Sequence, residues 1–252
     1  MLQGQFLPWH RYFVLKYEEA LREECNYKGA HPYWNWTLDA GPGKNIFDSP
    51  LFDPETGFGG DGIPGVLPPP PITRIDFPGG SGGGCVKNGP FVNFTLNVGP
   101  GDSLAYNPRC LARSINPTMA VWLNYSNIAP LADAPTFEEF DIITESTVHS
   151  PNATSPMTFH GAGHFLIGAE ASDIYSSNCE PLFYLHHAFI DSLWLAWQLE
   201  DPETRFSEIG GPQKPFTRNP QVTLDYPIDL GVVGASIPLS RVMDIRKGNT
   251  VE

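Results

Sequence analysis

Glycine and proline together occupy 51 of the 252 positions, about a fifth of the chain against roughly 12% in average proteins. Gly weakens regular structure through its conformational freedom, and Pro removes a backbone donor. Helices and strands must therefore be short and interrupted. Apolar residues make up 41% and charged residues only 17%, which is enough to build a core. The length fits one domain, or at most two small ones.

The strongest helical pattern opens the chain. Pro8 suits a first helical turn, and His10, Phe13, Val14, Tyr17 and Leu21 recur on one face. Arg11, Lys16, Glu19 and Arg22 are expected to face outward. From Cys25 to about Pro71 turn chemistry takes over, with aromatic anchors at Tyr33, Trp34 and Trp36. Further helices are expected at about 108–114, 117–125, 135–145, 158–166 and 184–200, and short extended pieces at 75–77 and 90–96. The run of four prolines at 68–71 and the Gly-rich stretch 79–84 resemble a linker. Too few helices flank them for a second core, so one domain over 1–252 is the simpler expectation.

The net charge of -13 repels phosphate backbones and anionic lipid, and no cluster of Lys and Arg offsets it. Nucleic acid and membrane surfaces are poor partners, and no apolar run approaches the ~18 residues of a spanning helix. Four sequons start at Asn35, Asn93, Asn124 and Asn152 and support secretion. Met1-Leu2-Gln3-Gly4-Gln5 lacks the regions of a secretory leader. The four cysteines, Cys25, Cys85, Cys110 and Cys179, contain no C-x-x-C pair, which disfavours zinc ribbons and thioredoxin-type redox motifs. Two disulfides are one reading and four free thiols the other. Among the three connectivities, Cys85 with Cys110 is favoured, closing a Gly-rich loop and contributing about 3 kcal/mol.

Five of the seven histidines sit on or beside the best helical patterns. His160 and His164, four apart, share one helix face and can bind one ion; two histidines in ordinary hydrogen bonds are the plainer reading. Gly161 stands where the H-E-x-x-H zinc proteases need a Glu. In Pro181-Leu182-Phe183-Tyr184-Leu185-His186-His187-Ala188-Phe189-Ile190-Asp191, the Asp191 carboxylate lies one turn beyond His187. It is placed to orient an imidazole directly or through its neighbours, or else to sit at the exposed helix edge.

These strings resemble the tyrosinase family of type 3 dicopper proteins. Phe6-Leu7-Pro8-Trp9-His10-Arg11, followed by Val14 and Glu18, is similar to the family's first-copper motif at its third histidine. His160-Gly161-Ala162-Gly163-His164, Pro181-Leu182-Phe183, His187 and Asp191 are similar to its second-copper motif. Pro32-Tyr33-Trp34-Asn35-Trp36 and the segments around Cys85 and Cys110 resemble short secreted fungal members. Glu180 departs from the family, which usually has Asp before the Pro.

The resemblance implies a mainly α fold, a tyrosinase-like helical bundle wrapped in long Gly- and Pro-rich loops with few short strands. It implies copper, a metal for which neutral imidazoles are suited ligands. His160, His164 and His187 would bind the second copper and His10 the first, with His186 a structural neighbour and Phe183 lying over the pair. The partners would be O2 and a small phenol. Gly161 brings no side-chain oxygen beside the first of these ligands, so oxidation of o-diphenols or o-aminophenols is favoured over hydroxylation of monophenols. The family motif wants two more histidines before Phe6, so the chain reads as incomplete at its N-terminus. Two coppers are expected in the complete protein and at most one here. An inactive secreted paralogue without a complete first copper site is the alternative; an oxygen carrier and a mononuclear zinc hydrolase are weaker ones.

Overall fold

The computed structural model describes residues 3–65, 74–145 and 157–247. Its helices are α1 (Phe6–Cys25), α2 (Tyr125–Ile128), α3 (Phe137–Glu145), α4 (Phe159–Ile167), α5 (Leu182–Glu200), α6 (Pro202–Arg205) and α7 (Ser240–Met243). Short 3-10 turns punctuate the connections. Three small antiparallel pairs complete the described residues: β1 (Gly62–Pro64) with β2 (Gly83–Val86), β3 (Thr95–Leu96) with β4 (Arg109–Cys110), and β5 (Pro227–Ile228) with β6 (Ile237–Pro238). This is the mainly helical, loop-rich architecture that the sequence implies.

The chain divides into two compact units. One comprises Met1–Tyr33, Ala129–Thr158 and His187–Glu252; the other comprises Trp34–Ile128 and Phe159–His186. Helix α5 passes from the second to the first between His186 and His187.

In the first unit, α1 starts two residues before Pro8 and ends where Asn26 adopts a left-handed conformation, with its N–H on the Leu21 carbonyl. Asn tolerates that conformation better than other side-chain-bearing residues. Its buried side chains include Phe6, Leu7, Tyr12, Phe13 and Val14. On α5, Phe137 packs edge-on to Trp194 at 5.7 Å and Phe140 lies tilted against Trp197 at 5.4 Å, and the Trp197 indole N–H donates to the Ala134 carbonyl. Arg11 departs from its expected outward placement, being buried on α1; the polar partners that make this possible are described below.

In the second unit, Val86, Leu96 and Leu111 form a small core beside the Cys85–Cys110 disulfide. The helix expected at 108–114 does not form. Arg109 and Cys110 pair with Leu96 and Thr95, Ala112 bridges Cys85, and the Arg113 N–H donates to Gly84. Backbone pairing next to a crosslink has overridden local helix propensity. Gly62 makes the close approach possible, since a Cβ there would lie 2.0 Å from the Gly84 carbonyl oxygen. The expected helix at 117–125 is a 3-10 turn, Pro117–Trp122, capped by Asn116, followed by α2. Trp34 and Trp36 are buried, whereas Tyr33, the last residue of the first unit's opening segment, is exposed and stacks on Phe189 of that same unit. The prolines 68–71 lie outside the described residues.

Candidate metal centre

Helix α1 presents His10 one turn after Phe6, and the His10 Nδ1 lies 2.8 Å from the Phe6 carbonyl oxygen. A carbonyl can only accept, so Nδ1 carries the proton and Nε2 is left as the electron-pair donor. The His10 ring stacks on His187 at 4.1 Å, with 5° between planes. Phe6 packs 4.5 Å from His10 and edge-on to His187 at 6.1 Å. A cavity of about 310 Å³ adjoins His10, lined also by Gln5, Phe6, Trp9 and the 226–229 segment. The Trp9 indole N–H fixes its wall by donating to the Asp229 carbonyl.

Asp191, expected to orient an imidazole directly or through its neighbours or else to sit at the exposed helix edge, accepts from Arg11 Nε at 2.6 Å. The same guanidinium donates through NH1 to Gln198 and to the Val242 and Met243 carbonyls, and lies 3.7 Å over the Trp194 ring. These partners make an inward Arg affordable next to His10. Burial pulls the Arg11 guanidinium down, and the nearby Asp191 charge acts in the opposite direction.

In the second unit, the four-residue spacing on α4 brings His160 and His164 together, Nε2 to Nε2 at 3.2 Å. The His164 Nδ1 donates to the Ala171 carbonyl at 2.9 Å, which again leaves Nε2 as the donor of an electron pair. Burial pushes the His164 imidazole down to about 4, so it is neutral at ordinary pH, the form that binds metals. His186 lies against both, parallel to His160 at 6.0 Å and edge-on to His164 at 5.0 Å. Its Nε2 donates to the His160 carbonyl at 3.0 Å, a bond that ties the head of α5 to the start of α4. Phe183 is buried with its ring 5.8 Å from His164. Gly161 is buried beside His160.

The start of α5 is held by Glu180. Its Oε1 accepts from the Leu182 N–H at 3.1 Å, and both carboxylate oxygens accept from Arg113 at 2.8 and 2.9 Å. Arg113 also donates to the Phe58, Gly59 and Gly60 carbonyls. Sequence reasoning missed Arg113, although an acid directly before Pro181 at the head of a long helix hinted at a buried partner.

The remaining predicted residues lie apart from these clusters. Cys25 is an exposed free thiol and Cys179 a half-buried one, so neither forms the second disulfide; burial pushes the Cys179 thiol up. Asn93 is exposed, and Asn35 and Asn124 are half-buried. Asn152 and His149 lie outside the described residues. His31 meets Tyr17 edge-on at 5.6 Å.

Neutral imidazoles with tautomers set by backbone carbonyls are the donor set that copper takes. Residues 2–200 match the common central domain of tyrosinase. Tyrosinase P of Aspergillus terreus is 36% identical over 97% of this chain and 73% of its own length. The N-acetyl-6-hydroxytryptophan oxidase of Emericella nidulans is 35% identical over 96% and 73%. Among solved structures, a polyphenol oxidase variant from Thermothelomyces thermophila is 33% identical, with a TM-score of 0.79 over 98% of this chain and 71% of that one. The match runs through both units and every histidine described in them, and the chain belongs to the tyrosinase family of copper oxidoreductases.

Proposed function

We propose that the protein oxidises o-diphenols or o-aminophenols to o-quinone-type products with O2. His160 and His164 hold one copper, with His187 as the third ligand that the family resemblance assigns, and His10 belongs to the other copper. When bound, copper would supply the redox chemistry by which two diphenols and one O2 give two quinones and two waters. The observation that carries the reading is the 3.2 Å approach of the His160 and His164 Nε2 atoms, with the His164 Nδ1–H held by Ala171.

The residues around this pair have distinct tasks. The Ala171 and Phe6 carbonyls keep His164 and His10 in the tautomer that offers Nε2. Phe183 presents an apolar ring next to His164 and keeps water from its face. Gly161 offers no side-chain oxygen to position a water or take the proton of a monophenol, which favours substrates that already carry two ortho donors. The disulfide and the sequons support a secreted protein.

Oxygen uptake by the protein, supplied with copper, tests this. Faster turnover of 4-tert-butylcatechol or o-aminophenol than of tyramine is expected. Equal rates on tyramine would overturn the Gly161 argument, and no diphenol turnover at two coppers per chain would overturn the oxidase reading.

A further inference from the structure

Away from the histidines, Phe91-Val92-Asn93-Phe94-Thr95 contains one of the four sequons. The Phe94 N–H donates to the Phe91 carbonyl at 3.0 Å, closing a β-turn with Val92 and Asn93 at its corners. Thr95 follows directly in β3, opposite Cys110, whose disulfide to Cys85 pins the base of the turn. Phe91 stacks on Phe58 at 5.8 Å and meets Phe94 edge-on at 5.7 Å. Phe94 is nevertheless 42% exposed and Val92 39% exposed, so the turn carries an apolar shelf in water beside an exposed Asn.

The other described sequons differ. The Asn124 Nδ2 donates to the Val121 carbonyl at 2.7 Å. Asn35 is half-buried between the buried Trp34 and Trp36, and its Oδ1 accepts from the Thr37 hydroxyl. Among the described residues, the Asn93 side chain has no hydrogen-bond partner to surrender.

We propose that Asn93 is an N-glycosylation site whose first N-acetylglucosamine rests on Phe91 and Phe94 and stabilises the turn. The proposal rests on the secretory reading. In the transfer, the Asn93 Nδ2 bonds to the anomeric carbon of a lipid-linked oligosaccharide, the lipid pyrophosphate leaves with the electron pair of the broken C–O bond, and Nδ2 gives up one proton. A pyranose has an apolar face of axial C–H groups, and laying it on the exposed Phe94 ring and the half-buried Phe91 ring beside it removes apolar surface from water. Phe91 is two residues before Asn93 and Phe94 is adjacent, so the linkage places the first sugar within reach of both.

The chain would be secreted from yeast behind a leader, and sequon occupancy read by mass spectrometry after glycosidase release in heavy-oxygen water. Melting temperatures would be compared for the glycoprotein, the form trimmed to a single N-acetylglucosamine, Asn93→Gln, and each of these with Phe94→Ala. Asn93 is expected to be occupied in most molecules. The glycoprotein and the trimmed form should both melt several degrees above Asn93→Gln, and Phe94→Ala should at least halve that gap. An empty Asn93, an Asn93→Gln protein as stable as the glycoprotein, or a gap unchanged by Phe94→Ala would overturn the proposal. Occupancy is read on peptides and does not depend on how a variant folds. Retention of the protein inside the cells of its natural host would overturn the secretory reading alone, leaving the sugar–aromatic contact to stand or fall on the melting data.

Discussion

Arg11 Nε donates to the Asp191 carboxylate at 2.6 Å, joining the residue next to His10 on α1 to the residue one turn beyond His187 on α5. Its NH1 serves Gln198 and two α7 carbonyls as well, so this one side chain ties three helices of the first unit. Lys has no planar fork and cannot serve all of these groups together. Arg11→Lys is expected to lower unfolding stability by about 2–4 kcal/mol. Asp191→Asn, at a partly exposed position, should cost less, about 1–2 kcal/mol. Urea unfolding of the two variants gives the order; an Asp191→Asn loss larger than that of Arg11→Lys would contradict the assignment of Arg11 as the hub.

The Arg113–Glu180 pair is fully sealed from solvent, so breaking it leaves an uncompensated buried charge. Arg113→Leu is expected to cost about 3–5 kcal/mol and to strand the carbonyls of the 58–60 turn. Glu180→Asp keeps the charge but is one methylene shorter, so it cannot reach Arg113 and the Leu182 N–H in the same geometry. An intermediate loss is expected in chemical denaturation, with the start of α5 showing faster amide exchange.

Much of this was legible in the sequence, and the failures have physical causes. The i,i+4 histidines of α4, the long apolar α5 and the opening stripe of α1 were readable because helical periodicity is a local signal. Arg11 was misplaced because charge alone suggested solvent, whereas its partners come from residues 191, 198, 242 and 243, far away in sequence. The segment 108–114 failed for the same reason, its backbone partners lying at 84, 85, 95 and 96. Loop length favours Cys85–Cys110, which forms, but nothing in the spacing shows that Cys25 and Cys179 are free thiols.

Glu145 offers a pH test. Burial pushes its carboxyl up to about 8, against the one backbone N–H from Gln3 that favours the charged form. Asp141, one turn earlier on α3, is also raised, by burial and then by the Glu145 charge. In the folded chain Glu145 keeps its proton to higher pH than in the unfolded chain, where it titrates near 4.5. The folded state therefore binds more protons between these values, and stability falls as pH rises from about 4.5 through 8. The slope is about 1.4 kcal/mol for each pH unit crossed. Glu145→Gln should flatten the fall and stabilise the protein at pH 8. A variant with the same pH slope as the parent would refute the burial argument.

Removing either Nε2 donor of α4 should be felt first in copper binding. His160→Ala and His164→Ala are each expected to weaken affinity by more than the 10–100-fold typical of residues that merely orient a ligand, measured by competition with a chromogenic Cu(I) chelator. His186→Ala should fall within that smaller range, because its Nε2 is engaged by the His160 carbonyl. Equal losses for all three would mean that His186 is itself a ligand.

Gly163 is where α4 and His186 come closest, since a Cβ there would lie 2.2–2.6 Å from three atoms of the His186 ring. An imidazole is rigid and this one is fully buried, so Gly163→Ala forces either the ring or the helix to move. The substitution gains about 1 kcal/mol of helix propensity but incurs about 1–3 kcal/mol of overpacking, and it breaks the His186–His160 carbonyl bond. A net loss of stability is expected, together with weaker copper binding as His160 shifts. Adding His186→Ala makes room for the new methyl group, so the double variant should be less destabilised than the sum of the two single changes, a coupling of about 1 kcal/mol or more in a thermodynamic cycle. Additive losses would mean that the two residues do not touch, and that a different contact holds α4 in place.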